Sequence, residues 1–435
     1  MVFENSLQLQ QKSHRLIPGG CHTYAKGDDQ YPVLAPGFIT KGQGCRVWDA
    51  DGNEYIEYGM GLRSVTLGHG YPPVVEAAYR QMLTGTNFTR PSSVEVQCAE
   101  EFLGVIKGAE MVKFAKNGSD VTTAAVRLAR AYTGRDMVAI CAEHPFLSTD
   151  DWFIGSTPMM KGIPGPVLSL TVRFHYNDPE SLRRLFERYP GEIACIIMEA
   201  ATAVEPAGDF LHKVRDLCRR NGALLVFDEM ITGFRWHLGG AQQYYGITPD
   251  LSAFGKAMAN GFSVSALAGR REIMELGGIC HDRERVFLLS TTHGAETHAL
   301  AAAMKTIEIY REKKVIEHLW EKGEILSKRL NGLGEALGLT DFFQVIGEPC
   351  NLIYMTRDRE RRPSQAFRAL FLQETIKRGL LMPSLVVSYS HGDAEIEATI
   401  ERIGEALLTY KKALEGRVED FLVGRPVKPV FRVFN

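Results

Sequence analysis

Three short stretches place a polar residue among small or apolar neighbours, a setting in which a side chain can do chemistry. In Ser252-Ala-Phe-Gly-Lys256-Ala-Met258 a single lysine stands between Gly255 and Ala257. Partial desolvation there favours the neutral amine, which attacks an aldehyde to form an imine. The plainer alternative is a surface lysine whose stem lies along apolar groups. In Leu224-Leu-Val-Phe-Asp228-Glu229-Met230 an acid ends an apolar run. Such a carboxylate either caps a loop or keeps a pyridine nitrogen protonated, which makes the ring an electron sink. In Ala115-Lys-Asn-Gly118-Ser119-Asp120, Gly118 allows a tight turn and Ser119 adds a hydroxyl at the start of a helical pattern. Unpaired amides and a positive dipole at such an end suit a phosphate, and an ordinary helix cap reads the same way.

These residues need a scaffold that brings them together, and the apolar patterning supplies one. Met111–Ala115, Met137–Cys141, Ile193–Met198 and Ala223–Phe227 are short apolar runs without strict alternation. Val121–Tyr132, Ser181–Arg188 and Phe210–Asn221 separate them with helical periodicity. Strands buried on both faces and alternating with helices predict a mainly parallel sheet. Asp228 would then leave the C-terminal end of a parallel strand, where α/β sheets bind ligands. A phosphate cradle, a strand-end acid and an isolated lysine in that order are what a pyridoxal 5′-phosphate (PLP) site requires.

The chain ends differ. Gly44–Gly59 alternates around Asp51-Gly52 as an antiparallel hairpin does. Lys314–Leu337 and Glu395–Lys412 are helical, and Leu352–Met355 and Leu385–Val387 read as short strands. The expected division is a segment 1–59, a large domain over 60–310 and a C-terminal part over 311–435, the two ends together forming a smaller α+β domain. A net charge of −2 argues against nucleic acid or an anionic membrane as the main partner. The eight cysteines stand singly, a pattern poor for zinc and for a disulfide framework, so no metal is expected and the cytoplasm is the expected compartment. No apolar run approaches the roughly 20 residues that span a bilayer.

Asp228-Glu-Met-Ile-Thr-Gly-Phe-Arg235, Phe254-Gly-Lys256 and Gly261–Gly269 closely resemble class III (ω-type) aminotransferases, most of all the glutamate-1-semialdehyde 2,1-aminomutase branch. Ile17-Pro-Gly-Gly20, Trp48–Ile56, Leu67-Gly-His-Gly-Tyr-Pro72 and Ala125–Arg135 extend the likeness over nearly the whole chain. The resemblance implies the α/β, aspartate-aminotransferase-like fold type I and a homodimer with shared active sites. It implies PLP bound as a Schiff base on Lys256, with Asp228 on the ring nitrogen and Gly118 and Ser119 on the phosphate. Thr292 resembles the threonine that reaches the neighbouring subunit's phosphate, a plain loop hydroxyl being the alternative. Phe146 falls where the family stacks a tyrosine on the ring, and a core role is its alternative. Glu199 resembles a glutamate near the cofactor and is otherwise a solvated strand-end acid.

The sequence departs from that branch after Gly20. A serine and an arginine that help bind the substrate carboxylate are replaced by Cys21-His22-Thr23-Tyr24-Ala25-Lys26. Lysine does not reproduce a bidentate guanidinium fork. His22, Thr23, Tyr24 and Lys26 suit a polar or sugar-like carbonyl compound, or simply face water. Gly155–Gly165, rich in glycine and proline, is either a lid or a connection. The expected reaction is transfer of an amino group from an amino-acid donor to a carbonyl acceptor. The rivals are the intramolecular aminomutase, a PLP racemase or decarboxylase, and a non-catalytic binding protein.

Overall fold

The structure is a computed structural model and describes residues 1–144 and 146–434. The chain divides into two compact units, one formed by Met1–Tyr71 with Glu317–Arg432 and the other built on Pro72–Ile316.

The second unit holds a seven-stranded sheet. Its strands are β1 (Met111–Ala115), β2 (Met137–Cys141), β3 (Thr171–Phe174), β4 (Ile193–Met198), β5 (Leu224–Asp228), β6 (Leu251–Phe254) and β7 (Ser265–Gly269). Their spatial order is β1-β7-β6-β5-β4-β2-β3. Every residue of β2, β4, β5, β6 and β7 is buried, which explains why these strands are apolar without alternation. The β3-β2-β4-β5-β6 run is parallel. The sheet is thus mainly parallel, as expected, with β7 running antiparallel to both β6 and β1. The reason is the connection. Only residues 255–264 join β6 to β7, fewer than the dozen or so that a parallel crossover needs.

Helices Gly118–Thr133 and Phe210–Asn221 bury the faces that the 3.6-residue period marks, including Val121, Ala125, Leu128, Phe210 and Val214. Both end on a left-handed glycine, Gly134 and Gly222.

In the first unit, Ile39–Gln43, Arg46–Asp49 and Glu54–Glu57 form antiparallel neighbours, and Leu380–Leu381 joins parallel to the last. The expected hairpin is present. Asp49 ties it by accepting the Asp51 and Asn53 amides at 3.0 and 2.8 Å and the Tyr55 hydroxyl at 2.9 Å. The strand expected at Leu385–Val387 is instead one isolated bridge, Leu385 to Leu352. The edge beside Glu54–Glu57 is taken by Leu380–Leu381, through Ile56 N–H to Gly379 O and Tyr58 N–H to Leu381 O, each 2.9 Å. Helices Val315–Ala336 and Asp393–Glu415 match the expected ones. Among the described residues no helix is long and apolar enough to cross a membrane.

Candidate active site

Asp228 and Lys256 stand at the carboxyl ends of two neighbouring parallel strands. Asp228, only 3% exposed, closes β5 and accepts the Met230 amide through Oδ1 at 2.9 Å. Burial pushes its pKa up to about 6, against the lowering effects of the Lys256 charge and of that amide. Lys256 lies just past the neighbouring strand, since Asp228 pairs with Ala253 in the β5–β6 register. It opens a tight turn, Lys256–Ala259, and its own φ of +45° is a conformation a lysine seldom adopts. Ala257, Met258 and Ala259 are buried beneath it, and the Tyr310 hydroxyl donates to Ala257 O at 2.6 Å. The unusual φ is therefore imposed by a packed surrounding.

Glu229, next in the chain, has a different task. It is fully buried and accepts the Ala241 and Gln242 amides at 2.9 and 2.7 Å, plus the Thr232 hydroxyl. It caps the short helix Ala241–Tyr244. Burial pushes its carboxyl up to about 7, and the charge of Asp228 pushes the same way.

Met230 joins the phosphate side to the lysine side. A Cβ on Gly118 would lie 2.9 Å from the Met230 sulfur, and one on Gly255 would lie 2.8 Å from it. At both places a Cβ would force the thioether to shift, so the helix start and the lysine turn converge on one side chain. Nothing in the sequence marks Met230 for this part, because a contact distance has no signature there. Ser263 and Ser265 donate to Lys116 O and Asn117 O at 3.1 and 2.8 Å. The Asp120 carboxylate accepts the Asn117 amide at 2.9 Å. The Gly118 and Ser119 amides thus sit on a fixed helix start, where the helix supplies no acceptor. Ser119 Oγ accepts the Thr149 amide at 3.0 Å and keeps its proton to donate.

Glu199 follows β4, and the Met198–Phe227 register sets it beside Asp228. It is buried, and its amide donates to His144 Nδ1 at 3.1 Å. Burial pushes His144 down to about 4, so the ring is neutral with its proton on Nε2. Phe146 is 45% exposed and meets Phe153 edge to face, the centroids 5.6 Å apart. Thr292 is exposed, and its carbonyl accepts Asn87 Nδ2 at 3.0 Å. Gly155–Gly165 is exposed or half-exposed throughout.

The remaining candidates belong to the first unit. His22, Thr23 and Lys26 line a cavity of about 730 Å³, whereas Tyr24 is 61% exposed and does not line it.

Comparison with known proteins gives the class. The model of the class-III aminotransferase family matches residues 24–347. A glutamate-1-semialdehyde 2,1-aminomutase of Sulfurihydrogenibium sp. is 30% identical over 93% of this chain and 99% of its own. The corresponding protein of Acetivibrio thermocellus is 33% identical over 93% and 97%. Among solved structures, the FumI protein of Sphingopyxis sp. MTA144, in its PLP internal aldimine form, has a TM-score of 0.86 at 28% identity, covering 95% of this chain and 98% of that one. An omega-transaminase from Sphaerobacter thermophilus has a TM-score of 0.85 at 25% identity, covering 93% and 98%. The chain belongs to the class-III aminotransferase family. It is a PLP-dependent aminotransferase with the fold type I architecture, acting on small molecules.

The residues present fit that cofactor. A fixed helix start offers amides, a buried carboxylate stands at a strand end, and a lysine close enough to perturb that carboxylate occupies the next strand end.

Proposed function

We propose that the protein transfers an amino group from an amino-acid donor to a carbonyl acceptor, with Lys256 bearing the cofactor. The observation that carries this reading is the buried Asp228 carboxylate within electrostatic reach of Lys256. When bound, PLP supplies an aldehyde for the amine and a ring that delocalises the electron pair left at the substrate carbon. Asp228 then holds a proton on the ring nitrogen, its ionised form favoured by the cation it faces. Gly118 and Ser119 hold the phosphate through their amides and the Ser119 hydroxyl. Phe146 covers a ring face, Glu199 borders the site beside Asp228, and the Lys256 Nζ takes and returns the proton at the substrate carbon. Thr292 serves the phosphate of a neighbouring subunit. An exposed apolar stripe of Val75, Tyr79 and Met82 at helical spacing supports a homodimer. The eight free cysteines support a cytoplasmic setting.

On the substrate side, His22, Thr23 and Lys26 suit a polar or sugar-like acceptor. An intramolecular aminomutase is the second reading, favoured by the names of relatives at 30% and 33% identity. The absorption spectrum of the purified protein separates the two. A visible band bleached by glutamate, glutamine or alanine and restored by a keto acid supports transfer between two molecules. Isomerisation of glutamate-1-semialdehyde without a second carbonyl compound supports the mutase. A protein that stays colourless with PLP added overturns both.

A further inference from the structure

Within the first unit, the N-terminal and C-terminal parts of the chain are fastened together around one fully buried ring, that of His391. Its Nδ1 accepts the Ser388 amide at 3.0 Å and lies 2.8 Å from the Ser388 hydroxyl. The His391 amide seals the turn by donating to Ser388 O at 3.0 Å. The ring packs on Tyr58 with centroids 4.3 Å apart, and the Tyr58 hydroxyl donates to Thr399 Oγ1 of helix Asp393–Glu415 at 2.8 Å. From helix Val315–Ala336, His318 Nε2 donates to His391 O at 3.1 Å. The turn docks on the N-terminal part through three bonds. Val386 N–H meets Tyr58 O at 3.1 Å, Tyr389 N–H meets Thr66 O at 2.8 Å, and the Ser390 hydroxyl meets Leu67 O at 2.6 Å. Cys45 Sγ adds a contact to Ser390 O at 3.3 Å.

A proton arriving on this ring finds the neighbouring carboxylates already engaged. Glu57 pairs with His69 at 2.8 Å and Glu395 with Arg46 at 3.0 Å. Lys322 holds both Glu321 and Asp393 at 2.8 Å. Burial pushes the His391 pKa down to about 3. The charges of His318 and Arg46 push the same way, against the backbone of Ser388 and Glu57. Because Nδ1 is an acceptor, the neutral ring carries its proton on Nε2, and a second proton must enter at Nδ1. It takes away the acceptor of the Ser388 amide and leaves a buried charge in its place.

We propose that His391 is an acid-sensitive latch: its neutral ring holds residues 386–391 on residues 58–67, and a proton taken from solvent at Nδ1 releases them. The sign follows from the lowered pKa. The neutral ring contributes in full above pH 6.5, and that contribution is lost as pH falls towards 3. The device concerns the fastening of the two chain ends and stands whatever reaction the protein performs.

Residue-resolved hydrogen exchange of the PLP-loaded full-length protein, corrected for the intrinsic exchange rate at each pH, reads the latch. Protection of the Val386, Ser388 and Tyr389 amides should fall by about 50- to 100-fold from pH 6 to pH 4. The Val345 amide serves as reference, being held by Asn331 Oδ1 at 2.9 Å in the same unit with no ionisable partner. Its protection should change by less than about threefold. H391N offers a carbonyl oxygen as acceptor and has nothing to titrate, so the fall at the turn should shrink below about threefold. A fall below threefold in the unchanged protein overturns the latch. So does an equal fall at Val345, which would mean that the unit opens as a whole, and so does a full fall in H391N. Were H391N not to fold, the contrast between the turn and Val345 in the unchanged protein decides alone.

Discussion

Asp228 ends a buried strand and Lys256 follows one by two residues, whereas His22–Lys26 run through mostly exposed residues and a single three-residue turn, Tyr24–Lys26. In the first region the strands are held by sheet pairing and the lysine turn by the Tyr310 bond to Ala257 O. In the second, side chains reach a cavity from backbone that has little regular structure of its own. The contrast separates two demands. Moving a proton at a fixed atom requires geometry held to a fraction of an ångström, so it is placed on rigid elements. Choosing a substrate tolerates variation, so it falls to loops.

That contrast sets an order of effects. Lys256→Ala should abolish turnover in any amine assay while leaving PLP retention measurable by dialysis; unchanged turnover would remove Lys256 from the mechanism. Asp228→Asn should lower kcat by about 10²- to 10³-fold, as loss of one preorganised charge does. A loss below tenfold, measured at saturating amine, would put the charge partner elsewhere.

The same acid gives a pH signature in the cofactor-free protein. Its folded pKa of about 6 lies above the ordinary 3.8, so its contribution is favourable below 3.8 and is lost as pH rises through 6. Above that the buried charge costs on the order of 3 kcal/mol. Cofactor-free D228N should therefore resist urea better than the unchanged protein at pH 8 and about equally at pH 4. A smaller effect is expected at Gly255→Ala, whose methyl meets the Met230 sulfur, at a cost of about 1–3 kcal/mol in urea unfolding. Smallest are Thr23→Ala and Tyr24→Ala. Each should change kcat/KM by less than tenfold for any one donor, and a larger loss would mean that the exposed segment constrains the reaction as tightly as the strand ends do.

Much of the buried region was legible in the sequence. β2, β4 and β5 announce themselves as apolar runs because both their faces are covered, and Asp228 stands out as the first charge after such a run. The direction of β7 was not legible, because apolar pattern does not encode strand polarity; only the short connection does. Glu229 and Asp228 look alike as letters, and only the three donors around Glu229 separate a capping acid from one facing a ligand.

The seating of Met230 between two glycines has a consequence for how this chain can change over generations. Positions 118, 230 and 255 form one packing unit drawn from three separate stretches. A methyl at either glycine must be met by a shift of the Met230 thioether, so its cost depends on the room left to the side chain at 230. Replacements at 118 or 255 and at 230 should therefore couple in their effects rather than add.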